Sequence, residues 1–175
     1  TYRLKTKKLV MASGGWVNRY VVRDMPDDIN QAYASFNHVP FLIANIAVKN
    51  WRFMEELGIR SAVYSDGIFG NSCNVRLPMT VGDYQPVIDP DKPALVTFYV
   101  PFYYPGLDMK QQGIRGRTEL FTTSYAEYEE KIRAQMLELF GETGFDPDED
   151  IAGIILNRWG HAYVTPQPGF FFGVD

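Results

Sequence analysis

Val39-Pro40-Phe41-Leu42-Ile43-Ala44-Asn45-Ile46-Ala47-Val48-Lys49 is the run on which the fold class turns. It is almost wholly apolar, includes β-branched members and leads into Asn50-Trp51-Arg52, so it reads as a buried strand. Residues 94–103, rich in Val, Phe, Tyr and Thr, form the strongest strand in the middle of the chain. Between the two lie a helical turn through Leu57 ended by Gly58, and short strands over 61–64 and 74–79 around the Gly/Asn-rich stretch 66–72. Residues 82–93, with two prolines and several acids, read as loop.

Upstream, residues 2–12 alternate and then turn apolar at Leu9-Val10-Met11-Ala12, which predicts a strand stopping at Ser13-Gly14-Gly15. A short helix over 16–22 follows, and Pro26-Asp27-Asp28 opens a second through about Phe36, its carboxylates favourable against the helix dipole. Downstream, 105–117 reads as loop. The clearest helix then starts at a capping box, Ser124 with Glu127, and runs to Gly141 with Tyr125, Tyr128, Ile132, Met136 and Leu139 near one face. A final strand over 151–159 follows the acidic turn 146–150, and Pro166 and Pro168 break what comes next. This order of elements predicts an α+β fold: a mixed, largely antiparallel sheet with helices packed on it.

The 175 residues (20.0 kDa) suit one domain, 1–175, and 46% hydrophobic with 22% charged residues is a globular composition. Seventeen basic against 21 acidic residues give a net charge of −4 with no basic block, so neither nucleic acid nor an anionic membrane surface is an expected partner. The apolar runs are interrupted by Pro40, Asn45 and Pro101 and fall short of a membrane span, so a soluble chain is expected, in the cytoplasm or periplasm. Opening Thr-Tyr-Arg-Leu-Lys, without methionine or signal core, it reads as a piece of a longer polypeptide. Aromatic residues make up 15%, a share that fits a large core, a ligand pocket or an interface. Trp16, Trp51 and Phe170-Phe171-Phe172 are candidates for apolar interface area, and a homodimer is the expectation that follows.

The common catalytic motifs are absent: no G-x-S-x-G, P-loop, H-E-x-x-H or G-x-G-x-x-G occurs, and Gly113 to Gly116 is only a G-x-x-G pair. Cys73 is single, and His38 and His161 are far apart, so no disulfide or zinc spacing is present. Asp146, Asp148 and Asp150 begin like a calcium loop, but Ile151 and Asn157 stand where Gly and Glu are needed, and a solvated turn is the better reading. Cys73, without a local histidine, reads as a small buried residue, His38 as a strand-end residue and Trp51-Arg52 as core edge. Asn157-Arg158-Trp159-Gly160-His161-Ala162-Tyr163 stands apart, because Arg, Trp, His and Tyr crowd together directly after an apolar strand, where a sheet presents side chains to a ligand. The same spacing is also met by Trp159 and Tyr163 filling core while Arg158 pairs with an acid.

Three stretches in order resemble the substrate-binding half of FAD-dependent amine oxidoreductases, the class of monoamine and polyamine oxidases and spermidine dehydrogenase. They are Lys7-Lys8-Leu9-Val10-Met11-Ala12 with the linker to Asp24-Met25-Pro26, then Pro40 to Val48 with Asn50-Trp51, then the helix up to Phe140 with Asp150-Ile151 to Arg158-Trp159 and Ala162-Tyr163. The resemblance implies a substrate domain whose flavin is held by an FAD domain of the same polypeptide, since neither of the family's cofactor motifs is present here. It also implies a small-molecule substrate, an amine or polyamine, with Trp159 near flavin and amine and Tyr163 as the next wall residue. Arg158, His161 and Asn45 complete the implied substrate-binding set. Many amine oxidases place a lysine in the early strand, whereas Ala44-Asn45 stand there and the nearest lysine is Lys49. The chain alone is expected to bind FAD weakly and to be inactive. The alternative is a free-standing ligand-binding or protein-interaction module with an aromatic pocket.

Overall fold

The computed structural model describes residues 1–173. Its strands are β1 (His38–Val48), β2 (Ser61–Val63), β3 (Ser72–Arg76), β4 (Ala94–Pro101) and β5 (Ile151–Val164), joined in one sheet of order β2-β3-β4-β1-β5. The helices are α1 (Gly15–Val21), α2 (Asp27–Ser35), α3 (Arg52–Glu56), α4 (Met109–Thr122), α5 (Tyr125–Phe140) and α6 (Pro147–Asp150). With antiparallel pairing, this is the α+β fold that the order of elements implies. The chain divides into two compact units, residues 1–38 with the segment from Val164 onward, and Val39–Tyr163.

The smaller unit is built on α1 and α2. Arg19 Nε donates to Asn30 Oδ1 at 2.8 Å between the helices, and Gly15 lies so near the Tyr33 ring that a Cβ would come within 2.6 Å of it. Tyr33 meets Phe36 edge-on at 5.8 Å, and Phe36 meets Phe170 at 5.7 Å. The strand expected over 2–12 is not there: no element precedes Gly15, and Tyr2, Leu4, Leu9 and Val10 are exposed. Alternation alone does not make a strand, which forms only where a neighbouring backbone takes its hydrogen bonds.

The larger unit owes its form to β1. Leu42, Ala44, Ile46 and Val48 are buried on one face, and antiparallel register sets Val100, Phe98 and Val96 of β4 opposite the first three. Against this face α5 lays Tyr128, Ile132, Met136 and Phe140, recurring every fourth residue, while Phe53 and Met54 of α3 and Leu120 of α4 close the layer. Each such fully buried apolar side chain stabilises the fold by roughly 1.5–3 kcal/mol relative to exposure.

The capping box forms as the sequence predicts, with Glu127 N donating to Ser124 Oγ at 3.1 Å and Ser124 N donating to Glu127 Oε2 at 2.8 Å. Ser124→Ala removes one of these acceptors from an exposed helix start. We expect a loss of about 1 kcal/mol, read as a lowered urea midpoint with an unchanged m-value; an unchanged midpoint would show that the box adds nothing.

Three expectations are corrected. The stretch 105–117 is not loop but mostly the first part of α4, which is capped by Asp108 accepting from Gln111 N at 2.9 Å. Its glycines lower helix propensity, but Gly116 is needed for packing: a Cβ there would lie 2.7 Å from Pro40 Cγ and 2.8 Å from Phe102 Cβ. The strand expected over 74–79 starts earlier, at Ser72, so that Cys73 faces Phe98 and Val75 faces Val96, and it ends before Pro78, which has no N–H to give. β5 runs past residue 159 to Val164. Ile151 is core-facing, as are Ile154 and Leu156, so its alternation slips at Ala152-Gly153, as in a bulge.

Candidate functional site

Because β5 is long, 157–163 lies within a strand rather than after one. Arg158 turns toward the helices, its guanidinium donating to the Leu120 carbonyl at 3.2 Å and sitting 5.1 Å from the centre of the Tyr128 ring. Gly160 faces the same way, since a Cβ there would meet Phe121 of α4 at 3.0 Å. Strand alternation therefore puts Trp159 and His161 on the opposite face, and Tyr163 joins them, its ring 5.2 Å from Phe41 of β1 in an edge-to-face contact. Trp159 is 58% exposed and Tyr163 57% exposed, so neither fills the core.

Within this unit the helices pack on one face of the sheet only. The second face is made by Phe41, Ile43, Asn45 and Ala47 of β1, by Thr97 and Tyr99 of β4, by Asn74 and Arg76 of β3, and by the β5 residues just named. Of the pair Ala44-Asn45, the alanine is sealed in the core and the asparagine stands on this face. Four of the five expected site residues, Asn45, Trp159, His161 and Tyr163, thus share one face, and Arg158 lies on the other.

A hydrogen-bonded chain crosses the second face perpendicular to the strands. Arg76 Nε donates to Thr97 Oγ1 at 3.2 Å, and Thr97 Oγ1 donates to Asn45 Oδ1 at 2.8 Å. The Thr97 hydroxyl thus accepts from the arginine and gives its one proton to the Asn45 carbonyl oxygen. The amide of Asn45 therefore turns its oxygen toward Thr97. Arg76 also reaches the Tyr99 hydroxyl and lies 5.5 Å from the centre of that ring. Thr97 and Arg76 were missed as site residues because nothing local marks them; the register Asn45↔Thr97↔Asn74 brings them together across strands distant in sequence.

The remaining sequence candidates have structural roles. Cys73 is 1% exposed, and burial pushes its thiol up to about 11, which leaves no thiolate at neutral pH. Trp51 is buried rather than an interface residue, donating from Nε1 to the Asp89 carbonyl at 3.0 Å, and the guanidinium over it is that of Arg60, while Arg52 pairs with Asp91. Asp146 caps α6 by accepting from Asp148 N at 2.9 Å, and Asp150 accepts from Asn50 Nδ2 at 3.2 Å. On the helix side of the sheet a cavity of about 240 Å³ lies among Phe69, Phe102, Tyr104, Glu119, Tyr128 and Lys131. There Tyr104 hydrogen-bonds Glu119, and burial followed by that carboxylate pushes its hydroxyl up to about 12.

The helix starts are not shaped for a pyrophosphate. Each helix longer than one or two turns starts with acid, Asp27 and Asp28 in α2, Asp108 at α4 and Glu127 in α5, so a pyrophosphate at any of them would meet carboxylate. What the second face offers is a broad aromatic surface with an oriented amide at its centre. No protein-family model matches the sequence, and no curated protein matches it. Among the described residues no helix is long and apolar enough to cross a membrane.

Proposed function

We propose that this chain is the substrate-binding domain of a flavin-dependent oxidoreductase acting on amines or polyamines, with the second face of the sheet as the wall of the substrate cavity. One observation carries the reading: Asn45 and, more than a hundred residues further on, Trp159, His161 and Tyr163 share a face on which no helix of the same unit packs. An indole and a phenol presented there attract an ammonium group through their π faces and keep water from the carbon beside it. Asn45, with its oxygen turned toward Thr97, supplies a polar contact of set direction. The flavin in this reading belongs to another domain of the same polypeptide and supplies the redox chemistry, while this chain binds and orients the substrate.

The test is spectroscopic. Expressed with the whole of its reading frame, the protein is expected to carry flavin absorbance that bleaches when a polyamine is added without oxygen. Residues 1–175 alone are expected to be colourless even after incubation with FAD. A colourless whole protein, or stoichiometric flavin on 1–175, would overturn the proposal. The first of these outcomes would favour a free-standing binding module, for which the aromatic cavity at Tyr104 and Tyr128 is the supporting observation.

A further inference from the structure

We propose that Arg76 is an anion-binding residue on the second face, and that the ligand it takes is a carboxylate with an apolar body lying in the groove beside it. The inference does not depend on flavin. A guanidinium has five N–H donors in a fixed fork. Here Nε is spent on Thr97 and one Nη2 N–H on the Tyr99 hydroxyl, which leaves three for a ligand.

Among the described residues no carboxylate forms an ion pair with Arg76, in contrast to Arg52, Arg60 and Arg133. An arginine held by neutral hydroxyls and an aromatic ring keeps its full charge for an incoming anion and has already lost much of its side-chain freedom. Its stem is fixed from below, since Thr97 is fully buried and is itself held by Asn45.

The apolar body follows from what adjoins the charge. Arg76 lines a groove of about 490 Å³ whose walls include Ala47, Val48, Ala94, Leu95 and Ala152, with Lys49 as a second cation. Two cations and no acid on an apolar groove, in a chain whose net charge is −4, mark a local reversal of sign. A planar carboxylate matches the fork in two parallel hydrogen bonds, and an aliphatic tail covers Leu95 and the alanines.

The experiment is a titration of the whole 175-residue chain with hexanoate, acetate, hexylamine and inorganic phosphate, followed by amide shifts of Arg76, Leu95 and Ala152. At these three amides hexanoate is expected to bind most tightly, acetate more weakly because it lacks the tail, and hexylamine to cause no shift. Arg76→Gln is expected to weaken hexanoate on the order of tenfold to a hundredfold, as for loss of a charged hydrogen-bonding partner, with circular dichroism unchanged because the residue is exposed. Tyr99→Phe removes only an orienting hydroxyl and is expected to cost less than Arg76→Gln while leaving the order of the four probes intact. Hexylamine shifting these three amides as strongly as hexanoate, an Arg76→Gln variant that binds hexanoate unchanged, or phosphate outcompeting hexanoate would each overturn the proposal.

Discussion

Phe98→Ala is expected to cost the larger unit roughly 3–5 kcal/mol, the upper range for a large buried apolar side chain. The cause is the company the ring keeps. On the core face, register places Ala44 on one side of Phe98 and Cys73 on the other, both small, so the ring fills space that neither neighbour reaches. Above it the Phe69 ring is 6.0 Å away, held by its own backbone, since Phe69 N donates to Gln135 Oε1 at 2.9 Å and its carbonyl accepts from Tyr64. None of these can move in to close the void, and cavity cost grows with what cannot collapse. Since whole domains are stable by only about 5–15 kcal/mol, the variant should lose a large part of its margin. Urea unfolding followed by tryptophan fluorescence measures it, with Leu95→Ala as control: Leu95 is on the same strand but partly exposed, and is expected to cost far less. Equal losses at the two positions would mean that β4 does not have one packed and one open face.

How much of this was legible in the sequence depends on whether the signal was local. β1 and α5 could be read because each carries its own evidence, an apolar run and a capping box with residues spaced for one helical face. α4 could not, because Gly113 and Gly116 weaken its local helical signal, and the reason for Gly116 is its contact with Pro40 and Phe102, which no window around residue 116 contains. The opposite error was made at 2–12, where a local alternation was present and no partner strand was. The candidate site divides the same way. Trp159, His161 and Tyr163 were visible as a cluster of chemistry-bearing residues, although the strand expected from the sequence stops at 159 and the structure carries it through all three. That Arg158 leaves the group is a matter of strand parity, which the cluster's composition hides. Arg76 and Thr97 belong to the site through register alone, and register is set by which faces are buried rather than by any residue at the site.

Trp159→Phe, made in the whole reading frame, is expected to slow the single-turnover reaction with a saturating polyamine on the order of a hundredfold, the cost of shifting reacting groups by about 1 Å. The same variant is expected to move the urea midpoint by no more than about 0.5 kcal/mol, as for a surface position. The two expectations come from the same geometry: the indole is more than half exposed on the second face, so little packing is lost, but it is also the largest surface that face presents to a ligand. Tyr163→Phe separates ring from hydroxyl, since its contact with Phe41 is made by the ring and should survive; a rate loss there would assign a role to the phenol oxygen. Arg158→Met is the internal contrast. It lies on the helix face against Leu120 and Tyr128, so its removal should lower the midpoint and leave the rate near that of the parent. If Trp159→Phe and Tyr163→Phe turn over at the parent rate while Arg158→Met slows the reaction, the substrate meets the helix side of β5, and the assignment of the two faces is reversed.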